Sequence, residues 1–574
     1  MKGIPASPGL AVGPACLYRR RDPGYGSSHI PQERVETEIG RFRGGRARAG
    51  EQLETLRQRT AERLGEAKAE IFESHIEILN DEEMGDAVEQ AIRVDLLTAE
   101  AACTRVIARN AEELDAMEKQ YFRERAADIR DIGARLCACV AGGGSSDPLA
   151  FPSPVVLVAE DLSPSETAGM DAEMILGIVT ERGGPTSHVA IMAKSLGIPA
   201  VVSVGGIVAS VAEGDMIVLD GDTGEIDIRP SRASVAAAGR RLAALRERAA
   251  RQDTQKDLPA MTRDGKRVPV FANIGAPDEA VKARELGAEG IGLFRTEFLF
   301  MSCENIPGVE EQRIAYSRAA AAMGEAEMIV RTLDVGGDKP IPSVSFPDEE
   351  NPFLGWRGIR MCFDLPDLFE TQLEALYRAT ADAHVSVMFP MVNSVEETRE
   401  LKSIMLRVRQ RLEAAGVSLG KEPALGIMIE TPAAVLMAPE LAREVDFFSI
   451  GTNDLTQYML AVDRGNARIA TLYDPLHPAV VRAIAETISA AHGAGKPVCM
   501  CGELAGDTFA IPLLVGLGLD TLSMAAPLIP AAKETIRSIS STEAQQLASA
   551  ALGAATTGEV RRLLEQFRAG GRDR

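Results

Sequence analysis

The spacing of apolar and polar residues changes several times along the chain, and each change predicts a new structural unit. Residues 1–20 contain a short apolar segment with proline and glycine, which is typical of strands and turns. From about Glu33 to Val140 charged residues dominate and apolar residues recur at helical spacing, as with Leu53 and Leu56. We therefore predict several packed helices, ended by the glycine-rich run at residues 142–148.

Short apolar runs separated by turns follow, from Val155 to about Ile228. They predict a compact α/β unit into which the helical block is inserted. The stretch from Ala233 to Ala250 is rich in Ala, Arg and Leu and predicts a linker helix. The expected strands are Val155–Val158, Met174–Val179, Ala200–Val204 and Met216–Leu219.

The rest of the chain repeats one theme, because eight strand-like runs alternate with helical segments. This alternation predicts a (β/α)8 barrel. The expected barrel strands are Val268–Asn273, Gly290–Phe294, Met328–Leu333, Val385–Pro390, Leu425–Ile429, Phe447–Ile450, Pro497–Cys501 and Thr521–Met524.

These patterns predict an α/β multidomain protein with the following boundaries. Residues 1–30 and 146–230 form an α/β domain, residues 31–145 an inserted helical subdomain, residues 231–260 the linker helix, and residues 261–574 the barrel.

Charged and polar residues gather at the carboxyl ends of the expected barrel strands, where such barrels carry their chemistry. Arg295, Arg331 and Arg464 are joined by a fourth candidate, Arg357. Because arginine binds phosphate and carboxylate bidentately, several arginines at one barrel mouth favour a small polyanionic ligand. Structural ion pairs are the alternative.

Glu430 and Asp454 follow adjacent expected strands. Two carboxylates facing a phosphorylated ligand suit Mg²⁺, which usually takes one or two protein carboxylates. A salt bridge to one of the arginines is the alternative. Cys501 ends the seventh expected strand, where a thiol could deliver a proton to carbon or could simply be a buried apolar residue.

His188 follows a Gly-Gly-Pro turn and precedes a helical run from Val189 to Leu196. A helix N-terminus suits an incoming phosphoryl group, and a neutral imidazole is a nucleophile. A structural role for this histidine, one of six in the chain, stays open from the residues alone.

The overall composition narrows the setting. The 574 residues carry 83 acidic and 62 basic side chains, a formal charge of −21, which disfavours nucleic acid and anionic membranes as partners. We find neither a secretory signal nor a membrane-spanning run. The eight cysteines are scattered, with C-x-C pairs at Cys137/Cys139 and Cys499/Cys501, and a reducing cytoplasm is expected.

The segment from Gly183 to Lys194, GGPTSHVAIMAK, resembles the phosphohistidine signature of enzyme I of the bacterial sugar phosphotransferase system. Barrel segments around Arg295, Arg331 and Cys501 also resemble that family, as do Gly3–Gly13, Asn351–Arg357 and Asp446–Leu455. Related signatures occur in pyruvate phosphate dikinase and phosphoenolpyruvate synthase, but the chain has no spare length for their ATP-binding domain.

The resemblance implies a set of roles. His188 would carry the phosphoryl group, and Cys501 would protonate the enolate carbon to give pyruvate. Arg295, Arg331 and Arg464 would hold phosphoenolpyruvate with Asn453 and Asp454, while Glu430 and Asp454 would bind Mg²⁺. The helical insertion would dock the phosphocarrier protein HPr, and the barrel would form a homodimer.

Three positions of the signature depart from common enzyme I sequences. Pro185 and Lys194 stand where arginine is frequent, and Val189 stands where threonine is frequent. Pro185 removes a backbone N–H and stiffens the turn, and Val189 removes a hydroxyl beside the histidine.

Two other functions are less consistent with the sequence. A non-catalytic regulator is disfavoured by the intact candidates for nucleophile, metal, arginine and acid roles. The nitrogen-regulatory branch usually carries an additional N-terminal sensor domain, whereas the signature here begins at Gly3.

Overall fold

A computed structural model describes residues 1–18, 28–64, 66–117, 120–142, 151, 153–168, 170, 174–184, 187–301, 303, 305–336, 341, 344–466 and 468–572. Two compact units, Met1–Glu247 and Arg248–Arg574, make up the chain.

The first unit contains a seven-stranded sheet in the order β1-β5-β4-β3-β2-β6-β7. Its strands are β1 Ile4–Ser7, β2 Leu10–Tyr18, β3 Val155–Ala159, β4 Ile175–Thr180, β5 Ala200–Val202, β6 Met216–Asp220 and β7 Glu225–Ile228. Strand β3 is a continuous apolar run because both of its faces are covered. Leu157 and Ala159 enter one core cluster and Val156 and Val158 another, as the two-residue period of a strand requires.

Five helices are inserted between β2 and β3 and enclose a core of their own. They are α1 Val35–Leu64, α2 Glu66–Leu79, α3 Glu82–Val94, α4 Ala99–Asp115 and α5 Gln120–Val140. Side-chain caps begin two of them, since Asp81 accepts from the Met84 N–H and Thr98 accepts from the Ala101 N–H.

The α/β part of this unit has four further helices, the last of which runs into the second unit. They are α6 Pro164–Ala168, α7 His188–Leu196, α8 Ile207–Ser210 and α9 Arg232–Gln255.

The second unit is a closed barrel of parallel strands, β8 to β15, with β15 pairing β8. The strands are β8 Val270–Ile274, β9 Ile291–Arg295, β10 Met328–Arg331, β11 Val385–Phe389, β12 Leu425–Ile429, β13 Phe447–Ile450, β14 Val498–Met500 and β15 Thr521–Ala525.

Helices surround these strands. They are α10 Glu279–Glu285, α11 Glu297–Met301, α12 Val309–Met323, α13 Ile359–Asp364, α14 Pro366–Ala379, α15 Val395–Ala414, α16 Pro432–Leu436, α17 Ala438–Leu441, α18 Thr452–Leu460, α19 Pro478–Gly493, α20 Ile511–Leu517, α21 Ile529–Ser538, α22 Ser541–Leu552 and α23 Thr557–Arg572. Short 3-10 helices lie at Gln32–Arg34, Pro352–Leu354, Ala470–Leu472, Glu503–Gly506 and Ala526–Leu528.

The expected architecture is confirmed: an α/β unit with a helical insertion, a linker helix and a (β/α)8 barrel. Every expected strand is present within a few residues of its expected ends. None of the described helices has the length and apolar character needed to span a bilayer.

Candidate active site

The polar residues expected at the strand ends come together at the carboxyl end of the barrel. Closure of the sheet brings them together, because parallel strands all end at the same rim. Arg295 ends β9, Arg331 ends β10, Glu430 follows β12, Asp454 lies in the first turn of α18 after β13, and Cys501 follows β14.

Arg331 is buried in an ion-pair network. Its Nη2 donates to Oε1 of Glu297, and its Nη1 lies 3.1 Å from Oδ2 of Asp334. Burial by itself would lower the pKa of Arg331, but the carboxylates of Glu297 and Asp334 outweigh it and raise that pKa. The guanidinium is therefore held rigidly with its charge compensated.

Arg357 completes the same network. Its Nη2 lies 2.9 Å from Oδ2 of Asp334 and 3.4 Å from Oδ2 of Asp454, and its Nη1 donates to the Tyr458 hydroxyl at 3.3 Å. Arg331 and Arg357 therefore form ion pairs within the site, and the ligand-binding role of Arg331 stays a prediction.

Arg295 and Arg464 differ from that pair. Both are half-buried, and neither guanidinium forms an ion pair with any carboxylate in the described part of the chain. Burial raises the pKa of Cys501 and the positive charge of Arg295 opposes that rise, which puts Arg295 in the electrostatic reach of the thiol. Arg464 acts in the same way on Tyr473. These two guanidinia can therefore offer their donors to an anion.

Glu430 and Asp454 share one buried region. Glu430 is 1% exposed, and its Oε1 accepts from the Met391 N–H at 2.7 Å. Burial, followed by the negative charges of Asp454 and Asp334, raises the pKa of Glu430 to about 8. Keeping these carboxylates close together in a buried region costs free energy, and a bound cation would reduce that cost.

The donor set fits a divalent cation. Oδ1 of Asp454 is buried and has no hydrogen-bond partner among the described residues. A Cβ on Gly451 would lie 2.8 Å from Oε2 of Glu430, so the glycine keeps that oxygen clear. Over the described ranges no cluster of three or more His, Cys, Asp or Glu could hold a metal. Two carboxylates are what Mg²⁺ takes when substrate oxygens and water complete its shell.

Cys501 is 3% exposed and packs with Leu293, Ile329 and Met388. The Ser449 hydroxyl donates to its sulfur at 3.3 Å. Because burial raises the pKa of Cys501, the group is a protonated thiol at neutral pH. The two interpretations of Cys501 coincide, since it is an apolar core residue and also a protonated group at the strand ends.

Asn453 is held by a reciprocal pair of hydrogen bonds. Its Nδ2 donates to Oε1 of Glu503 at 3.1 Å, and its Oδ1 accepts from the Glu503 N–H at 2.9 Å. The Tyr473 hydroxyl donates to the Asn453 carbonyl at 3.2 Å. The amide is thus oriented before any ligand arrives.

His188 belongs to the first unit. It is the first residue of α7, its side chain is exposed, and Ser187 caps the helix by accepting from the Ala190 N–H. Val189 is 2% exposed and packs in the sheet core, and Lys194 is exposed. Pro185 and Thr186 lie outside the described residues, as do Gly337, Asp338 and Lys339 of the loop after β10.

We call the polar residues gathered at the carboxyl end of the barrel, together with their side-chain partners, the strand-end cluster. Four of its members had no predicted role, namely Glu297, Asp334, Ser449 and Tyr458. Glu297 and Asp334 stand at strand ends in the sequence, which is a usable signal. Ser449 lies inside β13 and Tyr458 inside α18, where no local pattern distinguishes them.

A row of acidic side chains follows the outer face of α2 and the start of α3. We call it the acidic face: Glu70, Glu73, Glu77, Asp81, Glu82 and Glu83, all exposed. His75, in the middle of this stretch, is instead fully buried, with its Nε2 3.5 Å from Asp128.

Three protein families match successive parts of the chain. "PEP-utilising enzyme, N-terminal" matches residues 2–125, "PEP-utilising enzyme, mobile domain" residues 151–224, and "PEP-utilising enzyme, PEP-binding domain" residues 249–541.

Curated relatives match over almost the whole chain. A protein of Haemophilus influenzae is 43% identical over 99% of both chains. One from Geobacillus stearothermophilus is 42% identical over 97% of this chain and 96% of its own. One from Staphylococcus carnosus is 41% identical over 99% of both. Each is named phosphoenolpyruvate-protein phosphotransferase.

Proposed function

Because the chain belongs to the phosphoenolpyruvate-protein phosphotransferase family, we propose that it carries the phosphoryl group on His188 and passes it to HPr, as the first step of sugar uptake. Phosphoenolpyruvate-dependent transfer follows from the family itself. The observation that supports the rest is the strand-end cluster. Two guanidinia that form no ion pair among the described residues, two buried carboxylates and a buried thiol lie there at one barrel rim.

Phosphoenolpyruvate has a phosphate and a carboxylate, and the cluster offers donors for both. Arg295 and Arg464 supply guanidinium donors that form no ion pair with a carboxylate among the described residues. Arg331, the register neighbour of Arg295, is fixed by Glu297 and Asp334. Asn453 adds an oriented amide. Preorganised donors stabilise charge on the phosphoryl group during transfer more than mobile ones do.

Glu430 and Asp454 would hold Mg²⁺ through their carboxylate oxygens. The ion, when bound, supplies Lewis-acid neutralisation of the substrate's phosphate and enolate oxygens. The protein's contribution is to keep both carboxylates buried, with Glu430 oriented by the Met391 N–H.

His188 would attack phosphorus in line with the departing enolate oxygen. Its exposure and its place at the N-terminus of α7 favour this role, because an incoming phosphoryl group meets free backbone N–H groups there. Cys501 would then give its proton to C3 of the enolate, which yields pyruvate.

Transfer to a carrier requires His188 to visit two partners, which a hinge would permit. Two hinge candidates come from the sequence, residues 229–231 and the segment after Gly221. Residues 221–224 form the tight turn between β6 and β7, tied by Asp220 accepting from the N–H groups of Asp222 and Thr223. Residues 229–231, which include Arg229 with a positive φ of 53°, lie outside that turn and stay the hinge candidate.

The acidic face would meet a basic patch of HPr. Its six exposed carboxylates lie on the insertion, whose described residues contribute no strand to the sheet and enclose a core of their own. Charge complementarity of this kind mainly accelerates association.

The proposed division of labour follows the expected boundaries. Residues 1–30 and 146–230 would present the phosphohistidine, residues 31–145 would dock HPr, and residues 231–260 would link them to the barrel at residues 261–574. The barrel would also form a homodimer, for which its exposed apolar side chains Leu354, Leu436 and Leu472 are candidates.

One experiment tests the acceptor. The full-length chain is incubated with phosphoenolpyruvate labelled on phosphorus, with Mg²⁺, and acid-labile protein label is counted. We expect His188→Ala to abolish the label and His384→Ala, which changes another exposed histidine, to leave it intact. Label that persists in His188→Ala would contradict the assignment.

A further inference from the structure

Ser449 is a fully buried residue of β13 for which the proposed mechanism has no use. Its hydroxyl donates to Sγ of Cys501 at 3.3 Å. Ser449 is also the register partner of Cys499 across β13 and β14. Cys499 and Cys501 are two residues apart, and Ser449 forms a hydrogen bond with the side chain of each of them.

The surroundings of Cys501 make the hydrogen bond from this hydroxyl important for the sulfur. Cys501 belongs to a buried cluster with Leu293, Ile329, Met388, Met428 and Phe447, and the charges of Arg331, Glu430 and Arg295 also act on its thiol. Within the described part of the chain, Ser449 is the only side chain that donates a hydrogen bond to the sulfur. The Cys501 thiol itself points toward the Ile450 carbonyl at 3.9 Å.

Proton delivery changes the charge on the sulfur of Cys501. When Cys501 gives its proton to carbon, its sulfur keeps the electron pair and becomes a buried thiolate. A hydrogen bond to an anion is worth about twice one to a neutral group, so the Ser449 donor stabilises the developing thiolate more than the thiol. Only such differential stabilisation accelerates a chemical step.

A hydrogen bond from Cys499 can set the orientation of the Ser449 hydroxyl. Burial raises the pKa of the Cys499 thiol well above its ordinary value, so this group stays neutral. A neutral thiol is a weak donor, and the Ser449 oxygen can accept from it. With its oxygen accepting from Cys499, the hydroxyl has its hydrogen directed at Cys501.

We propose that Ser449 is a positioning residue for proton transfer at C3, oriented by Cys499 and acting through the sulfur of Cys501. The proposal rests on the proposed role of Cys501. In the step, C3 gains the proton of Cys501, Ser449 keeps its own proton and donates only a hydrogen bond, and solvent water later reprotonates the thiolate.

The reverse proton transfer isolates this step. Pyruvate is incubated in D₂O with the full-length enzyme and Mg²⁺, and loss of the methyl proton signal is followed by NMR. We expect Ser449→Ala to slow exchange by about tenfold or more, the factor for losing one hydrogen bond to a charged group. Ser449→Thr should restore it, and the KM for phosphoenolpyruvate should not change.

Cys499 supplies an independent pair of variants. Cys499→Ala should slow exchange less than Ser449→Ala does, and Cys499→Ser, which keeps a donor, should return the rate to that of the parent. This pair decides the matter also if Ser449→Ala does not fold. The matched control is Ser386→Ala, a fully buried serine of β11 whose hydroxyl donates to Glu327.

The possible outcomes distinguish the role of Ser449 from the role of Cys501. If Cys501→Ala stops exchange while Ser449→Ala and Cys499→Ala match the parent rate, the role of Ser449 is overturned. If Cys501→Ala exchanges at the parent rate, the proposed acid itself is wrong. Equal losses in Ser449→Ala and Ser386→Ala would show a general packing effect and would also overturn the proposal.

Discussion

At the scale of single residues, the site divides its arginines into two kinds. Arg331 and Arg357 are buried and shared among Glu297, Asp334 and Asp454. Arg295 and Arg464 have no such partner in the described residues. The first kind fixes the shape and charge of the pocket, and the second kind is available to a ligand.

Arg295→Lys tests this division. A lysine keeps the charge but cannot form two parallel hydrogen bonds, so we expect the KM for phosphoenolpyruvate to rise by about tenfold. Pyruvate release measured over a range of phosphoenolpyruvate concentrations gives this value. Arg318→Lys, at an exposed position paired with Asp278, is the control and should keep the parent KM. An unchanged KM in Arg295→Lys would remove Arg295 from the binding site.

Val189 shows how burial changes the meaning of a residue. From the sequence, its lack of a hydroxyl concerns the neighbouring histidine. In the structure Val189 is 2% exposed and packs with Ala190 and Ala193 in the core below α7. Its apolar side chain therefore helps to pack α7, the helix that carries His188, against the sheet.

Val189→Ala should lower the free energy of unfolding of the first unit by about 1–3 kcal/mol, since it removes two buried methyl groups and leaves a cavity. Thermal or denaturant unfolding measures this, with phosphoenolpyruvate labelling retained at low temperature. Ile191→Ala, on the same helix but 44% exposed, should cost far less. Equal losses would mean that Val189 is not seated in the core.

At the scale of elements, helix α9 is held separately at its two ends. Arg241 pairs with Asp220 at 2.6 Å in the first unit. In the second unit Glu534 of α21 accepts from Arg248 and Gln252, at 2.7 Å in both cases, and pairs with Arg251. The last turns of the linker helix are therefore attached to the barrel by one carboxylate.

This attachment should depend on pH. Burial would raise the pKa of Glu534, but the hydrogen bonds from Gln252 and Arg248 outweigh it and lower that pKa. A lowered pKa stabilises the contact above the ordinary pKa of glutamate, and the stabilisation is lost as pH falls through the lowered value.

Hydrogen exchange of residues 248–255, followed by mass spectrometry, reads this effect. We expect protection at neutral pH to weaken below about pH 4, after correction for intrinsic exchange. In Glu534→Gln, protection should be lower at neutral pH and nearly independent of pH. Glu247→Gln, an exposed neighbour on α9, should behave like the parent. Undiminished protection in Glu534→Gln would show that the carboxylate does not hold the helix.

At the scale of the whole molecule, the chain consists of two compact units whose boundary along the sequence lies within α9. The first contains His188 and the acidic face, and the second contains the whole strand-end cluster. We therefore expect two reactions to be separable. The first unit should accept a phosphoryl group from a carrier by itself, whereas transfer from phosphoenolpyruvate should require the barrel.

A fragment of residues 1–247 tests this separation. Its sheet and insertion have their own cores, so we expect it to unfold cooperatively as an isolated protein. It should accept label from phosphorylated HPr but not from phosphoenolpyruvate, whereas the full chain accepts both. Labelling of the fragment by phosphoenolpyruvate would show that the barrel is dispensable for the first transfer.

Much of this architecture could be read from the chain alone. Burial of one face gives helices and strands a regular spacing of apolar residues. This spacing predicts the eight barrel strands and the helical insertion. The candidates Arg295, Arg331, Glu430 and Cys501 could be found because a parallel barrel gathers its strand ends, which makes position along the strand informative.

The partners of those residues could not be read in that way. Asp334 meets Arg357 across 23 positions and Ser449 meets Cys501 across 52. No periodicity links such pairs, because closure of the sheet alone sets the distance between neighbouring strand ends. The sequence by itself determined which groups line the barrel rim. Only the tertiary structure decided which arginines are already paired, which carboxylates repel each other in a buried space, and which hydroxyl faces the thiol, because these depend on burial and through-space contact.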